Sequence, residues 1–164
     1  MIIAAWILVV GLLTLAFTDV LDRQERPNRS IASNVSTLDG ARIAEVTLLR
    51  NRAGHYVAEG EIDGQPADFL LDTGATLVSI SASAAEALGL RRGASVSIST
   101  ANGTAIAYRT VLDSVSLGEI RLFDVPALIN TGAQGPEVLL GMSFLRQLEF
   151  TQKGRTLTLR QVGG

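Results

Sequence analysis

A carboxylate carried to the end of an apolar run is the first feature of this chain with the makings of chemistry. In FLLDTGATLVSI, residues 69–80, Asp72 follows Phe69, Leu70 and Leu71 and enters a Thr73-Gly74 turn, after which a second apolar run begins. An acid delivered out of buried strand is stable only where hydrogen bonds hold it. The neighbours offer them: Gly74, lacking a side chain, brings its backbone N–H close, and the Thr73 hydroxyl is placed to bond to main chain. Acid–base chemistry by such a group takes a second carboxylate a few ångströms away, the two sharing one proton. This chain offers one. The near match Leu112-Asp113-Ser114-Val115 has Val where Gly must stand, so Asp113 reads as a turn residue. A two-carboxylate site built from this sequence therefore takes two copies of the chain about a two-fold axis.

Other chemistries find little support. With no cysteine there is no disulfide, thiolate nucleophile or Cys-based metal site, and the one histidine, His55, builds no His cluster and reads as a surface loop residue. A net charge of −2 gives no basic face for nucleic acid. Phosphoryl transfer through Asp72 would want a partnering Lys and a phosphate-cradling glycine loop, and Lys153 is the only lysine between residues 51 and 160. No metal or cofactor is expected. Glu137 reads as a turn residue.

The elements that must position Asp72 fall into three stretches. Residues 2–17, IIAAWILVVGLLTLAF, carry no charge and come close to the roughly 20 residues that span a bilayer. No basic segment precedes the run and no small-x-small cleavage site ends it, so residues 1–18 read as an uncleaved transmembrane anchor. Residues 19–41, polar with Pro27 and several Ser and Asn, read as a tether. Arg23, Arg26 and Arg29 follow the span, and the positive-inside rule alone would place the following domain in the cytoplasm. Residues 42–164 form one domain with a β pattern. Strands are predicted at 43–49, 56–62, 67–71, 96–100, 104–112, 115–117, 121–125 and 157–160, with a hairpin turn around Asn102-Gly103. Two helices fit, one opened by the capping box Ser83-Ala84-Ala85-Glu86 and stopped at Gly89, the other at 143–148. Tyr56, Tyr108, Phe123, Phe144 and Phe150 are expected in the core.

Five segments occur in a telling order: GHYVAEGEIDG (54–64), FLLDTGATLVSIS (69–81), AEALGL (85–90), TANG (100–103) and LLGMSFL (139–145). Together they resemble the retropepsin-like aspartic proteases, and more closely their bacterial membrane-anchored branch with a DTGA signature. The resemblance spans about residues 43–160. It implies an all-β, closed β-barrel protomer with one or two short helices, preceded by an N-terminal transmembrane helix. It implies Asp72 as the catalytic acid with Thr73 and Gly74 as its scaffold. Substrate would meet Ala75 and a flap of Thr100, Ala101, Asn102 and Gly103, with Asn102 and Gly103 at its tip and residues 139–141 beneath the catalytic loop. The implied activity is that of a homodimeric aspartic endopeptidase acting on extended peptide or protein segments, a membrane-bound substrate among them. The resemblance favours an inner-membrane, single-pass protein with its domain on the periplasmic side, against the arginine count. Pepsin-like enzymes commonly place Ser where Ala75 stands, and its absence implies activity nearer neutral pH. The alternative is a catalytically silent dimerisation or peptide-binding module of the same fold.

Overall fold

Alternating inward and outward residues along short extended segments build this protein, which the computed structural model describes at residues 11, 14, 24–38, 40–100 and 103–163. Its strands are β1 (Ala32–Leu38), β2 (Ala41–Leu49), β3 (Val57–Ile62), β4 (Gln65–Leu71), β5 (Val78–Ser81), β6 (Ser95–Thr100), β7 (Gly103–Leu117), β8 (Ile120–Asn130), β9 (Val138–Leu140), β10 (Glu149–Lys153) and β11 (Thr156–Gly163). The short helices α1 (Ala82–Ala87) and α2 (Met142–Leu145) interrupt them.

Six strands close into a barrel in the order β3-β4-β9-β5-β8-β7, with β7 returning to β3 through Glu61↔Ser116 and Ile62↔Val115. Closure has local causes. Asp63 and Gly64 both take positive φ, 51° and 76°, as a two-residue hairpin between β3 and β4 requires. The Asp63 Oδ1 accepts from Ser114 N at 2.8 Å and the Ser114 carbonyl accepts from Asp63 N at 3.0 Å, stitching the hairpin tip to β7. Gly60 stands at the seam, where a side chain would meet the Ser116 carbonyl and the Phe69 ring. The barrel encloses Ile62, Phe69, Ile80, Leu112, Leu140 and Phe144, all fully buried. Strand β6 extends the sheet outward as a hairpin with β7, and a second antiparallel sheet, β1-β2-β11-β10, packs its buried Val46, Leu48 and Leu159 into the same core.

Several expectations change here. The segments 104–112 and 115–117 are one strand, β7, and Asp113 lies exposed within it rather than in a turn. Phe123 is 63% exposed because alternation along β8 turns Ile120 and Leu122 inward and Phe123 out. Phe150 is 47% exposed, on a strand with no buried residue. Tyr108 is half-buried under the Arg92 guanidinium, whereas Tyr56 and Phe144 are core. Helix α1 is capped by Ser81, two residues before the predicted box, its Oγ accepting from Ala84 N at 3.2 Å. Its end matches the glycine stop, Gly89 taking φ +65°.

The tether also differs, because residues 24–38 pack on the domain. Asn28 is buried, its Nδ2 donating to the Leu49 and Val57 carbonyls at 2.9 and 2.8 Å while its Oδ1 accepts from Leu49 N at 2.7 Å. Arg26 pairs with Asp68 at 2.9 Å. Strand β1 then pairs with β2 along its whole length, though every one of its residues is exposed. It is held by its ladder with β2 and buries no side chain of its own, so its sequence shows no apolar alternation. The anchor expected over residues 1–18 lies outside the described residues, apart from Gly11 and Thr14. Among the described residues no helix is long and apolar enough to cross a membrane.

Candidate active site

Strand β9 determines where Asp72 stands. It runs parallel to β4 through Phe69↔Val138, Leu70↔Leu139 and Leu71↔Leu140, and antiparallel to β5 at Ser79↔Leu139. The loop from Asp72 to Leu77, which joins β4 to β5, must therefore arch over the end of β9. Asp72 N donates to the Leu140 carbonyl at 3.2 Å, Ala75 N to the Asp72 carbonyl at 3.3 Å, and Met142 N to the Ala75 carbonyl at 2.8 Å. Gly141 makes this possible: a Cβ there would fall on the carbonyls of Leu77 and Ala75. From the far side, the buried Ser143 Oγ accepts from Val78 N at 2.9 Å and ties α2 to the start of β5.

The carboxylate itself is half-buried, and its Oδ1 accepts from Gly74 N at 2.8 Å, the bond that the glycine was expected to provide. A Cβ on Gly74 would stand 3.1 Å from that oxygen, a tight contact that the glycine avoids. Thr73 differs from expectation: it is exposed, and among the described residues its hydroxyl has no hydrogen-bond partner. Beside the loop lies a cavity of about 310 Å³ whose walls include Arg50, Tyr56, Leu71, Asp72 and Thr73, with Phe150 and Gln152 of β10 at its margin. Asp72 is the one carboxylate among its lining residues. The Arg50 guanidinium stacks on the Tyr56 ring, 5.2 Å from its centroid. A larger cavity of about 480 Å³, between the β3–β4 hairpin and α1, takes in no residue of the Asp72 loop.

The flap positions lie on the β6–β7 hairpin. Thr100 is half-buried, pairs with Gly103 and donates its hydroxyl to the Gly103 carbonyl at 2.8 Å; Ala101 and Asn102 lie outside the described residues. Gly103 already pairs with Thr100 as the first residue of β7, with φ +109°, so it belongs to the strand rather than to the turn expected around Asn102-Gly103. The hairpin joins the Asp72 loop through the sheet, β7 pairing with β8 and β8 running parallel to β5. Asp72, Thr73, Gly74 and Ala75 thus share one loop, and Thr100 and Gly103 face each other as the paired ends of β6 and β7. Sequence reasoning missed Ser143, Arg50 and Tyr56 as neighbours of this site; nothing local marks a serine after Gly141 or an arginine at a strand end.

Residues 58–147, more than half of the chain, match the family model described as gag-polyprotein putative aspartyl protease. The chain belongs to this aspartyl protease family. A curated relative from Sinorhizobium sp., "Uncharacterized protein in cobV 5'region", is 32% identical over 166 residues, covering 96% of this chain and 71% of the relative. Among solved structures, a retropepsin-like aspartic protease from Rickettsia conorii matches with a TM-score of 0.63 at 23% identity, over 79% of this chain and 100% of that one. The EIAV protease complexed with the inhibitor HBY-793 matches with a TM-score of 0.47 at 20% identity, over 58% of this chain and 89% of that one. The likeness to the Rickettsia conorii structure shows that the barrel is of the retropepsin-like fold.

Proposed function

We propose that this protein is an aspartic endopeptidase active as a homodimer, hydrolysing peptide bonds between two Asp72 carboxylates, one from each protomer. The observation that carries the reading is a single carboxylate, held by Gly74 N–H at 2.8 Å and braced by β9, in a protomer whose site cavity has no second acid. Catalysis follows from sharing one proton between the two acids. The ionised carboxylate takes a proton from water as the water oxygen bonds to the scissile carbonyl carbon. The protonated carboxylic acid donates to the carbonyl oxygen, giving a neutral gem-diol. Collapse of the diol breaks the C–N bond, a proton passing to the leaving nitrogen, and the pair is left sharing one proton again. Gly74 holds the acid through its N–H while Thr73 stands exposed beside it in the same loop; Ala75 and the flap residues Thr100, Ala101, Asn102 and Gly103 bound the substrate, and the substrate lies extended beneath the flaps.

Membrane attachment through residues 1–18, with the domain on the periplasmic side of the inner membrane, belongs to the same proposal. Its support is the charge-free run 2–17. With residues 24–38 packed on the domain, little chain is left to separate it from the membrane, which favours a substrate held at the membrane surface. A domain that stays intact when spheroplasts are treated with external protease would contradict the periplasmic placement.

Catalysis is tested with the full chain, supplied with a diverse peptide mixture across pH and read by mass spectrometry beside Asp72→Asn. Cuts made by the first and missing from the second are the expected result. A folded protein that cuts nothing at any pH or concentration would favour a peptide-binding or dimerisation module instead.

A further inference from the structure

The loop from Arg50 to Tyr56, which joins β2 to β3, supplies two walls of the Asp72 cavity, with the Arg50 guanidinium lying on the Tyr56 ring. Its tip is closed from within: Asn51 N donates to the His55 carbonyl at 2.8 Å, and Asn51 Oδ1 accepts from His55 N at 2.9 Å. Its base is closed from outside. Asn28 Nδ2 donates to the carbonyl of Leu49, directly before Arg50, and to that of Val57, directly after Tyr56, while its Oδ1 accepts from Leu49 N. One side chain thus clasps both ends of the loop. A side-chain amide offers two donors and an acceptor at one place, and Asn28 is only 4% exposed, so these bonds are not traded for bonds to water.

The clasp reaches the acid through the main chain. The Tyr56 carbonyl accepts from Leu71 N at 3.0 Å, and Leu71 both lines the cavity and precedes Asp72. The segment is fastened ahead of Asn28 as well: Arg26 pairs with Asp68 of β4, the Gln24 carbonyl accepts from Arg52 N at 3.4 Å, and the Glu25 carbonyl accepts from Asn51 Nδ2 at 3.2 Å. These bonds fall on β4 and on the 50–56 loop, the two pieces of chain that carry Leu71, Arg50 and Tyr56 to the cavity. We propose that Asn28 is a positioning residue for the Asp72 cavity: residues 24–28 set the spacing of Arg50, Tyr56 and Leu71, and with it which substrate side chains the cavity admits. Asn28 is not among the residues that line the cavity and acts through the loop it clasps. The inference rests on the catalytic reading above and adds to it a determinant of specificity that lies ahead of β1.

The test compares two variants of the full chain, each assayed at a temperature where circular dichroism shows it folded. Asn28→Asp keeps the shape and the acceptor for Leu49 N–H but turns a carboxylate toward the Leu49 and Val57 carbonyls. Asp63→Ala, at the far end of β3, loses the bond to Ser114 N and costs stability without touching the loop. For Asn28→Asp, KM is expected to rise about three- to tenfold, with the order of preference among a set of peptides changed. Its kcat per active site, counted by titration with a tight-binding peptide inhibitor, is expected to stay within about twofold. Asp63→Ala is expected to keep the wild-type KM and preference. Hydrogen exchange read by mass spectrometry gives an answer independent of turnover: in Asn28→Asp, residues 65–72 are expected to exchange about tenfold faster relative to residues 120–130 of β8. An unchanged KM and preference in Asn28→Asp, or a rise in exchange shared equally by both segments, would overturn the positioning role and leave Asn28 a general support of the fold. A wild-type chain that cleaves nothing defeats the catalytic reading, and the exchange pattern then upholds or overturns the clasp by itself.

Discussion

Gly74 and Gly141 act on Asp72 from two sides, one by offering an N–H and the other by having no side chain where the loop crosses β9. Gly141→Ala sets a methyl against two backbone carbonyls that cannot swing away, and is expected to destabilise the fold by at least about 1–3 kcal/mol in urea unfolding. Asp72→Asn keeps an oxygen for Gly74 N–H and is expected to leave stability within about 0.5 kcal/mol while lowering peptide cleavage about 10²–10⁴-fold or more. Ala75→Ser adds a hydroxyl able to stabilise ionised carboxylates, so the pH profile of cleavage is expected to move to more acid values; an unmoved profile would count against that role. At this scale the candidate acid was legible, because a carboxylate after an apolar run and before glycine has a local physical reason. The exposed Thr73 hydroxyl was not, since its expected main-chain bond depends on the path of chain distant in sequence.

Strand β9 and helix α2 form the support under the Asp72 loop, joined to it by the Met142 N–H and to the start of β5 by the Ser143 hydroxyl. Ser143→Ala leaves the buried Val78 N–H without its partner and is expected to cost about 1–3 kcal/mol, read as a lowered unfolding midpoint. The segment before β1 is a second support, fastened by three hydrogen bonds of Asn28 to β2 and to the Val57 carbonyl. Asn28→Ala is expected to cost about 2–3 kcal/mol, and a truncation starting after residue 31 to cost at least as much; no loss of stability in either would return this segment to the status of a tether. Period-two alternation made β2, β3, β4, β6 and β7 legible, as in residues 56–62, whereas β8 runs on to Asn130 and β11 to Gly163, beyond the ends expected at 125 and 160, and the short strands β5 and β9 were not foreseen as strands. Strands β1 and β10 were not, because SNVST and EFTQK hold too few apolar residues to alternate.

Barrel closure belongs to the whole molecule: β7 leaves β6, runs along β8 and finishes on β3, fifty residues away in sequence, with Gly60 making room at the seam. No local pattern encodes that return, although the long alternation of β7 and the short turn at Asp63-Gly64 are both consistent with it. The same scale decides activity. One protomer brings one carboxylate to its cavity, so the proposed mechanism needs two chains, and on that proposal the specific rate is expected to rise with protein concentration until dimers saturate. The most direct test is to titrate a fixed amount of wild-type chain with Asp72→Asn chain under conditions that allow exchange and to follow cleavage of one peptide. The shared site predicts that activity falls toward zero as wild-type chains are drawn into mixed dimers carrying one acid. Activity that stays constant under a large excess of the variant would mean that each chain works alone, and would contradict the account.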